Sequence, residues 1–295
     1  MSEDGIQLSL DQLLQCHRLG GILAARFGGG LRLGLHRSRG KGRGMEFAEV
    51  RPYQQGDDVR TIDWRITART GRTHTKLFRE ERDRAVYLLL DLSPEMYFGS
   101  RGQLKARLAC ELAAALAWQA QSHGDKIGGL LLVDQSRIRL APGGNRKDVL
   151  MLLGQLLNAY QRGLARPPLA TPLDQGLAQL NLIVRPGSQI QVISDFYRLA
   201  KEGWHWLRRL HRQHEVRCWQ VRDQLELQLQ GQGHLAVDNL RQQGIINAND
   251  PQFVRHYQQV GHFRQQQLRL QLRSSCHQLF ELDASAPLSS QLRGL

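Results

Sequence analysis

The residues best suited to chemistry are four oxygen-bearing side chains that stand where predicted strands end or a predicted helix begins. They are Asp91, Ser93, Thr171 and Asp195. Because ligands of an open parallel sheet bind at the carboxyl ends of its strands, these side chains are expected to meet at one edge. Oxygen ligands without nitrogen or sulfur suit Mg²⁺, Mn²⁺ or Ca²⁺. The sequence therefore predicts a divalent-cation site for binding a partner, although each residue alone is also explained as a cap of a loop or helix.

The elements that must position these residues alternate between strands and helices after Arg84. Strands are predicted over residues 85–90, 126–133, 136–140, 189–193, 216–221 and 277–282. Helices are predicted over residues 103–121, 148–160, 172–180, 201–213 and 251–273. Strands of near-continuous apolar residues between helices indicate a parallel sheet covered on both faces. The predicted fold class is therefore α/β, an open and mostly parallel, Rossmann-like sheet with helices on both faces.

Three segments of the chain differ in composition. Residues 1–45 hold a predicted helix over 9–26 and a glycine-rich arm, and the arm has six basic residues from Arg26 to Arg43 and no acid. Residues 46–84 mix dense charge with aromatic residues and include a predicted strand over 73–78. Residues 85–295 form the sheet domain. The predicted architecture thus adds an N-terminal helix and a small charged β-containing subdomain to the sheet.

The overall charge and the cysteines limit the location and the partners. The net charge is +13, from 40 basic and 27 acidic residues, which permits nucleic acid, an anionic membrane surface or an acidic protein as partner. The four cysteines are far apart and form neither a zinc motif nor a disulfide framework. The N-terminus lacks the pattern of a signal peptide, and no apolar run reaches the ~18 residues that a membrane helix needs. We therefore expect a cytoplasmic protein without a membrane span.

The segment from Arg51 to Trp64, Arg-Pro-Tyr-Gln-Gln-Gly-Asp-Asp-Val-Arg-Thr-Ile-Asp-Trp, is long enough to be specific. Together with Ala68-Arg69 and the strand into Asp91, it resembles the bacterial family called domain of unknown function 58 (DUF58), whose core is similar to the von Willebrand factor A fold. The resemblance runs from about Gly42 to the C-terminus. It implies a partner-binding or structural role for Arg51, Tyr53, Gly56, Asp57, Asp58, Arg60, Asp63, Trp64 and Arg69.

The resemblance also implies a metal-ion-dependent adhesion site (MIDAS), which von Willebrand factor A domains build from Asp-x-Ser-x-Ser, a distant Thr and a distant Asp. Its positions here would be Asp91, Ser93, Glu95, Thr171 and Asp195. Glu95 departs from the pattern because serine is usual at that position. A carboxylate there can ligate the ion, take the place of a partner's acid, or leave the site free of metal.

The function implied by the resemblance is that of a non-enzymatic protein-interaction module. It would bind a partner through Mg²⁺, or through Mn²⁺ or Ca²⁺, and would work with a MoxR-type AAA ATPase in chaperone-like assembly or maturation. The alternative is nucleic-acid binding through the arm from Arg26 to Arg43, whose affinity would fall steeply with salt. A third hypothesis, a metal-dependent hydrolase, finds no general base beyond Glu95.

Overall fold

The computed structural model describes residues 3–27, 45–54, 57–80, 85–165, 172–229, 233–238 and 243–295. Thr171, Gly56 and the part of the basic arm from Gly28 to Gly44 lie outside these ranges. The chain divides into two compact units, one made of residues 1–31 and 84–295 and the other of residues 32–83.

The chain begins with three short helices where the sequence predicted one. Their bounds are α1 (Glu3–Ile6), α2 (Leu10–Gln15) and α3 (His17–Phe27). Ser9 caps α2 by accepting a hydrogen bond from the backbone of Gln12, whose side chain in turn accepts one from the backbone of Ser9. This reciprocal capping box fixes the start of the helix.

These helices pack on the helix Lys105–Ser122 of the sheet unit. Trp118 Nε1 donates to the carbonyl of Leu13 at 3.3 Å, and Gln119 Nε2 donates to the carbonyl of Leu23 at 3.1 Å. A Cβ at Gly20 would lie 2.8 Å from Trp118 Cβ, so the close approach requires glycine. The N-terminal helices therefore belong to the same compact unit as the sheet, because their apolar face is buried against it, while the predicted domain bounds stay a prediction.

The second unit contains an antiparallel pair of strands and a short helix. Their bounds are β1 (Met45–Pro52), α4 (Trp64–Thr70) and β2 (His74–Glu80). The predicted strand over 73–78 is confirmed by β2, whereas β1 and α4 were not predicted. The N-terminus of α4 is capped by Asp63, which accepts hydrogen bonds from the backbone of Arg65 and Ile66.

The strands and helices of the larger unit alternate as predicted. The strands are β3 (Ala85–Asp91), β4 (Lys126–Val133), β5 (Ser136–Gly143), β6 (Gln189–Ser194), β7 (Glu215–Arg222), β8 (His234–Asp238), β9 (Gln243–Asn247) and β10 (Gln278–Asp283). The helices are α5 (Lys105–Ser122), α6 (Arg146–Ala165), α7 (Leu173–Ile183), α8 (Lys201–Gln213), α9 (Pro251–Arg273) and α10 (Leu288–Gly294). The antiparallel hairpin of β8 and β9 and the helix α10 were not predicted.

One sheet joins the strands in the order β10-β7-β6-β3-β4-β5. All neighbours are parallel except β5, which runs antiparallel to β4. The chain therefore leaves the adjacent strands β3 and β6 toward opposite edges of the sheet. In open α/β sheets such a switch point opens a crevice at the carboxyl ends of the two strands, where ligands bind.

Two apolar layers cover the sheet. Leu88 and Leu90 face one layer with α3, α5, α6 and α10, while Leu89 faces the other with α7, α8 and α9. These three leucines are fully buried, and they alternate because successive side chains of a strand point to opposite faces. The predicted fold class, an open and mostly parallel sheet with helices on both faces, is confirmed.

Candidate functional site

Asp91 lies at the end of β3, at the switch point of the sheet, and is buried. Its Oδ1 accepts a hydrogen bond from the backbone nitrogen of Ser93 at 2.9 Å. Its Oδ2 accepts one from the hydroxyl of Ser194, the last residue of β6, at 2.6 Å. The hydroxyl of Ser194 therefore connects the ends of the two strands that border the crevice.

Asp195 follows Ser194 directly and is also buried. Its Oδ1 accepts a hydrogen bond from the backbone nitrogen of Tyr197 at 3.1 Å. Burial, and next the negative charge of Asp195, raise the pKa of Asp91 to about 6, while hydrogen bonds from Ser194 and Ser93 oppose the rise. Among the residues that the structure describes, no ion pair neutralises Asp91. The switch point thus holds an excess of buried negative charge.

Lys105, the first residue of α5, supplies a positive charge on the other side of Asp195. Its side chain is 1% exposed, and its Nζ lies 2.9 Å from Asp195 Oδ2 and 2.5 Å from Glu226 Oε1. Burial disfavours the ammonium, but the two carboxylates outweigh it and raise the pKa of Lys105 above its usual value. Lys105 therefore keeps its proton and ties α5 to the loops after β6 and β7.

Sequence reasoning missed this buried ion triad of Lys105, Asp195 and Glu226. A single lysine at the start of a predicted helix is normally exposed, so Lys105 carries no signal by itself. Glu226 lies in a segment that resembles the DUF58 pattern, which is the only hint that the sequence offers. Burial raises the pKa of Glu226, and the charge of Lys105 opposes this rise.

Glu95, the position that departs from the adhesion motif, lies in the single turn Pro94–Tyr97 after Ser93. Its Oε1 pairs with Arg198 at 2.5 Å. Its Oε2 is buried and has no hydrogen-bond partner among the described residues. One oxygen of Glu95 is thus engaged by Arg198, while the other is a buried acceptor without a partner among the described residues.

The predicted ligands suit a divalent cation only in part. Asp91, Ser93 and Asp195 do come together, but one oxygen of Asp195 is engaged by Lys105. The described part of the chain contains no cluster of three or more His, Cys, Asp or Glu side chains that could hold a metal ion. Thr171, the remaining predicted ligand, lies outside that part. The donors that fit an ion are Asp91, which lacks a positive partner, and the adjacent Ser93.

The acids of the signature segment have local structural partners. Arg51 Nη2 lies 2.7 Å from Asp57 Oδ1, and the backbone nitrogen of Gln54 donates to Asp57 Oδ2 at 2.9 Å. Hydrogen bonds from Arg51 and Gln54 lower the pKa of Asp57. Tyr53 donates to the carbonyl of Asp57 at 3.4 Å, and Asp58 accepts a hydrogen bond from the backbone of Arg60.

The exposed side chains of this segment are the ones that a partner can reach. Trp64 at the start of α4 is 68% exposed, and Arg60 and Arg69 are exposed as well. Asp63 caps α4 and therefore has a structural role. The predicted signature thus divides into residues that hold the turn together and residues that face solvent.

Across the described ranges, no helix combines the length and the apolar character needed to cross a membrane.

The chain matches a family model, and it is similar in sequence to uncharacterized mycobacterial proteins. A model of the family described as "Protein of unknown function DUF58" matches residues 49–267. Uncharacterized protein Rv1480 of Mycobacterium tuberculosis (strain ATCC 25618 / H37Rv) and uncharacterized protein Mb1516 of Mycobacterium bovis (strain ATCC BAA-935 / AF2122/97) are each 29% identical over 207 residues. The match covers 70% of this chain and 63% of each relative, so the chain spans less than two thirds of their length.

Among solved structures, the chain is similar to BatB from Bacteroides thetaiotaomicron, with a TM-score of 0.42 and 12% identity over 70% of this chain and 93% of that one. An aerotolerance-related membrane protein from Bacteroides fragilis gives a TM-score of 0.42 and 11% identity over 72% of this chain and 100% of that one. The VWA domain of SpRpn10 gives 0.35 and 11%, over 72% and 94%. At these identities the likeness concerns the fold alone.

Proposed function

The chain belongs to the DUF58 family, and from this and its α/β sheet we propose that it is a non-catalytic protein-interaction module of the von Willebrand factor A-like type. The partner would bind at the carboxyl ends of β3 and β6. The observation that supports this proposal is the uncompensated charge of Asp91 at the switch point, where its pKa is raised to about 6. A buried charge without a partner is costly, so a cationic ligand at this edge would be bound favourably.

We propose further that the cationic ligand is Mg²⁺, or Mn²⁺ or Ca²⁺, held by Asp91 and Ser93. Glu95, Thr171 and Asp195 complete the predicted set. When bound, the ion supplies a positive charge that can receive a carboxylate from the partner. The chain's own residues prepare this site: Ser194 orients Asp91, and Lys105 holds Asp195 in place.

The buried lysine is not suited to act as a general base. A lysine that acts as a base must lose its proton readily, which requires a lowered pKa. The pKa of Lys105 is instead raised, because Asp195 and Glu226 both stabilise its ammonium. Lys105 therefore acts as a structural cation.

Calorimetric titration of the full chain with Mg²⁺ tests the metal part of the proposal. We expect the wild type to bind Mg²⁺ and the Asp91→Ala variant to lose at least ~10-fold in affinity, because the first carboxylate ligand is removed. Asp148→Ala is the matched control, since Asp148 is a half-buried acid that accepts a hydrogen bond from the backbone of Asn145 at the start of α6, away from the switch point. If the wild type binds none of Mg²⁺, Mn²⁺ and Ca²⁺, the metal part is wrong.

We propose that the partner is a MoxR-type AAA ATPase, and a capture experiment with such a purified ATPase tests this. The immobilised wild type is expected to retain the ATPase in Mg²⁺ and to release it in a chelator, and Asp91→Ala is expected not to retain it. Retention that ignores both the chelator and Asp91→Ala would move the contact away from the switch point. The exposed residues Trp64 and Arg69 would then be the next candidates.

A further inference from the structure

The helix α9 carries an unusual combination of length and charge. It runs for 23 residues from Pro251 to Arg273 and contains no aspartate or glutamate. At ~1.5 Å per residue it is roughly 35 Å long. Its inner face is buried through Gln265, Leu268 and Leu272.

The outer face of α9 carries four exposed apolar residues, and the same heptad positions also hold His256 and Gln267. The exposed fractions of Phe253, Val260, Phe263 and Leu270 are 37%, 51%, 64% and 57%. Their spacing of seven, three and seven residues places all four on the two seam positions of a heptad. Single exposed apolar residues need no explanation, but a row at this spacing has the pattern with which a helix packs against another helix. We call these four residues the outer seam.

The charges beside the outer seam select the kind of helix that fits. The flanking residues are basic or amide-bearing: Arg255, Gln259, His262, Arg264, Gln266 and Arg273. A second copy of α9 would bring arginine against arginine, because neither helix offers a carboxylate. Since residues beside a helix seam set the choice of partner through ion pairs, the flanks of α9 favour an acidic helix.

The outer seam is presented by a firmly attached helix. Tyr257 donates to the carbonyl of Leu225 at 2.8 Å, and the side-chain amides of Gln265 and Gln220 exchange hydrogen bonds at 3.0 and 2.9 Å. A Cβ at Gly261 would lie 2.9 Å from the carbonyl oxygen of Glu226, so the approach of α9 to this turn requires glycine. The inner contacts therefore hold α9 in place without using the seam.

We propose that the outer seam of α9 binds an amphipathic helix of a partner protein, whose apolar seam is flanked by glutamate or aspartate. This surface is distinct from the switch point, and it contains none of the predicted metal ligands. Its binding is therefore independent of a divalent cation.

The test uses the full chain and two synthetic amphipathic peptides of about three heptads with leucine at the seam positions. One peptide has glutamate at the flanking positions and the other has lysine. Fluorescence anisotropy is expected to show binding of the glutamate peptide that weakens with added salt, and no binding of the lysine peptide. Phe263→Glu and Val260→Glu are expected to lower the affinity at least ~10-fold.

The matched control is Leu182→Glu, which places the same charge on α7 at a leucine that is 86% exposed. It should bind the glutamate peptide as the wild type does. Because Phe263 and Val260 are also mostly exposed, the variants should keep the circular-dichroism spectrum of the wild type, which confirms that they are folded.

Four results would overturn the proposal. The first is equal binding of both peptides, and the second is unchanged binding by Phe263→Glu. The third is a dimer of the wild type in sedimentation that Phe263→Glu dissociates, which would make a second copy the occupant. Release of the peptide by a chelator would also contradict it, by assigning the peptide to the switch point. The Mg²⁺ titration is read separately, so the failure of one proposal is distinguishable from the failure of the other.

Discussion

Replacing Lys105 with methionine is expected to lower the free energy of unfolding by about 3 to 5 kcal/mol, the typical cost of removing one partner of a buried ion pair. Methionine fills a similar volume and tolerates a helix, so the main loss is the charge. The change leaves Asp195 and Glu226 near one another without the ammonium that both contact. The free energy of unfolding is measured by urea titration in the presence of a chelator.

The control for this experiment is Lys201→Met. Lys201 is also the first residue of a helix, α8, but it is exposed. Its replacement should change the free energy of unfolding by no more than about 0.5 kcal/mol, as is usual for surface sites. An equally small change for Lys105→Met would mean that the buried triad is not formed.

A double variant separates the charge effect from loss of packing. Glu226→Gln removes one of the two carboxylates that Lys105 neutralises, so the combination with Lys105→Met should cost less than the sum of the single changes. Groups in one ion-pair network typically couple by about 0.5 to 3 kcal/mol. Strict additivity would show that the cost of Lys105→Met comes from packing rather than from unpaired charge.

Replacing Asp223 with alanine is expected to destabilise the fold by at least about 3 kcal/mol. Asp223 is fully buried after β7. Its Oδ2 accepts a hydrogen bond from the backbone nitrogen of Ser100 at 2.8 Å, and its Oδ1 accepts from the hydroxyl of Ser100 and from the backbone of Leu225. Hydrogen bonds to a charged group each contribute about 1.5 to 3 kcal/mol, and alanine leaves these donors unpaired.

The loss of stability in Asp223→Ala should include a weakening of the ion triad of Lys105, Asp195 and Glu226. The backbone nitrogen of Asp223 donates to Glu226 Oε2 at 3.0 Å, which directs the other oxygen of Glu226 toward Lys105. Asp223→Ala frees this turn and should therefore weaken the triad. Its effect should combine less than additively with that of Lys105→Met in urea titrations.

The matched control is Asp250→Ala. Asp250 caps α9 through the backbone of Gln252 and is exposed, so its replacement should cost only about 1 kcal/mol, which is typical for a helix cap. Ser100→Ala should fall between these two variants, since it removes only the hydroxyl bond to Asp223. If Asp223→Ala costs no more than Asp250→Ala, the contacts of Asp223 do not hold the loops together.

Local patterns in the sequence were enough to predict most strands and helices of the sheet domain. Apolar runs predicted strands such as β3 and β4, and helical spacing predicted α8 and α9, because both patterns depend only on near neighbours. The patterns failed where local signals are weak or ambiguous. The predicted N-terminal helix breaks at Cys16, and the hairpin of β8 and β9 was missed.

The sequence by itself determined the α/β class, the family, and the placement of Asp91 and Asp195 at the carboxyl ends of strands. These features follow from periodicity and from motif residues that are close along the chain. The prediction that Asp91, Ser93, Glu95, Thr171 and Asp195 form a metal site stays a prediction.

Only the tertiary structure decided which basic side chains pair with Asp195 and Glu95. Lys105 meets Asp195 across 90 residues and Glu226 across 121 residues, and Arg198 takes one oxygen of Glu95. Such pairs are set by how helices and loops pack on the sheet, so no local pattern encodes them. The same holds for α9, because its spacing shows two apolar faces and only packing determines which of them remains exposed.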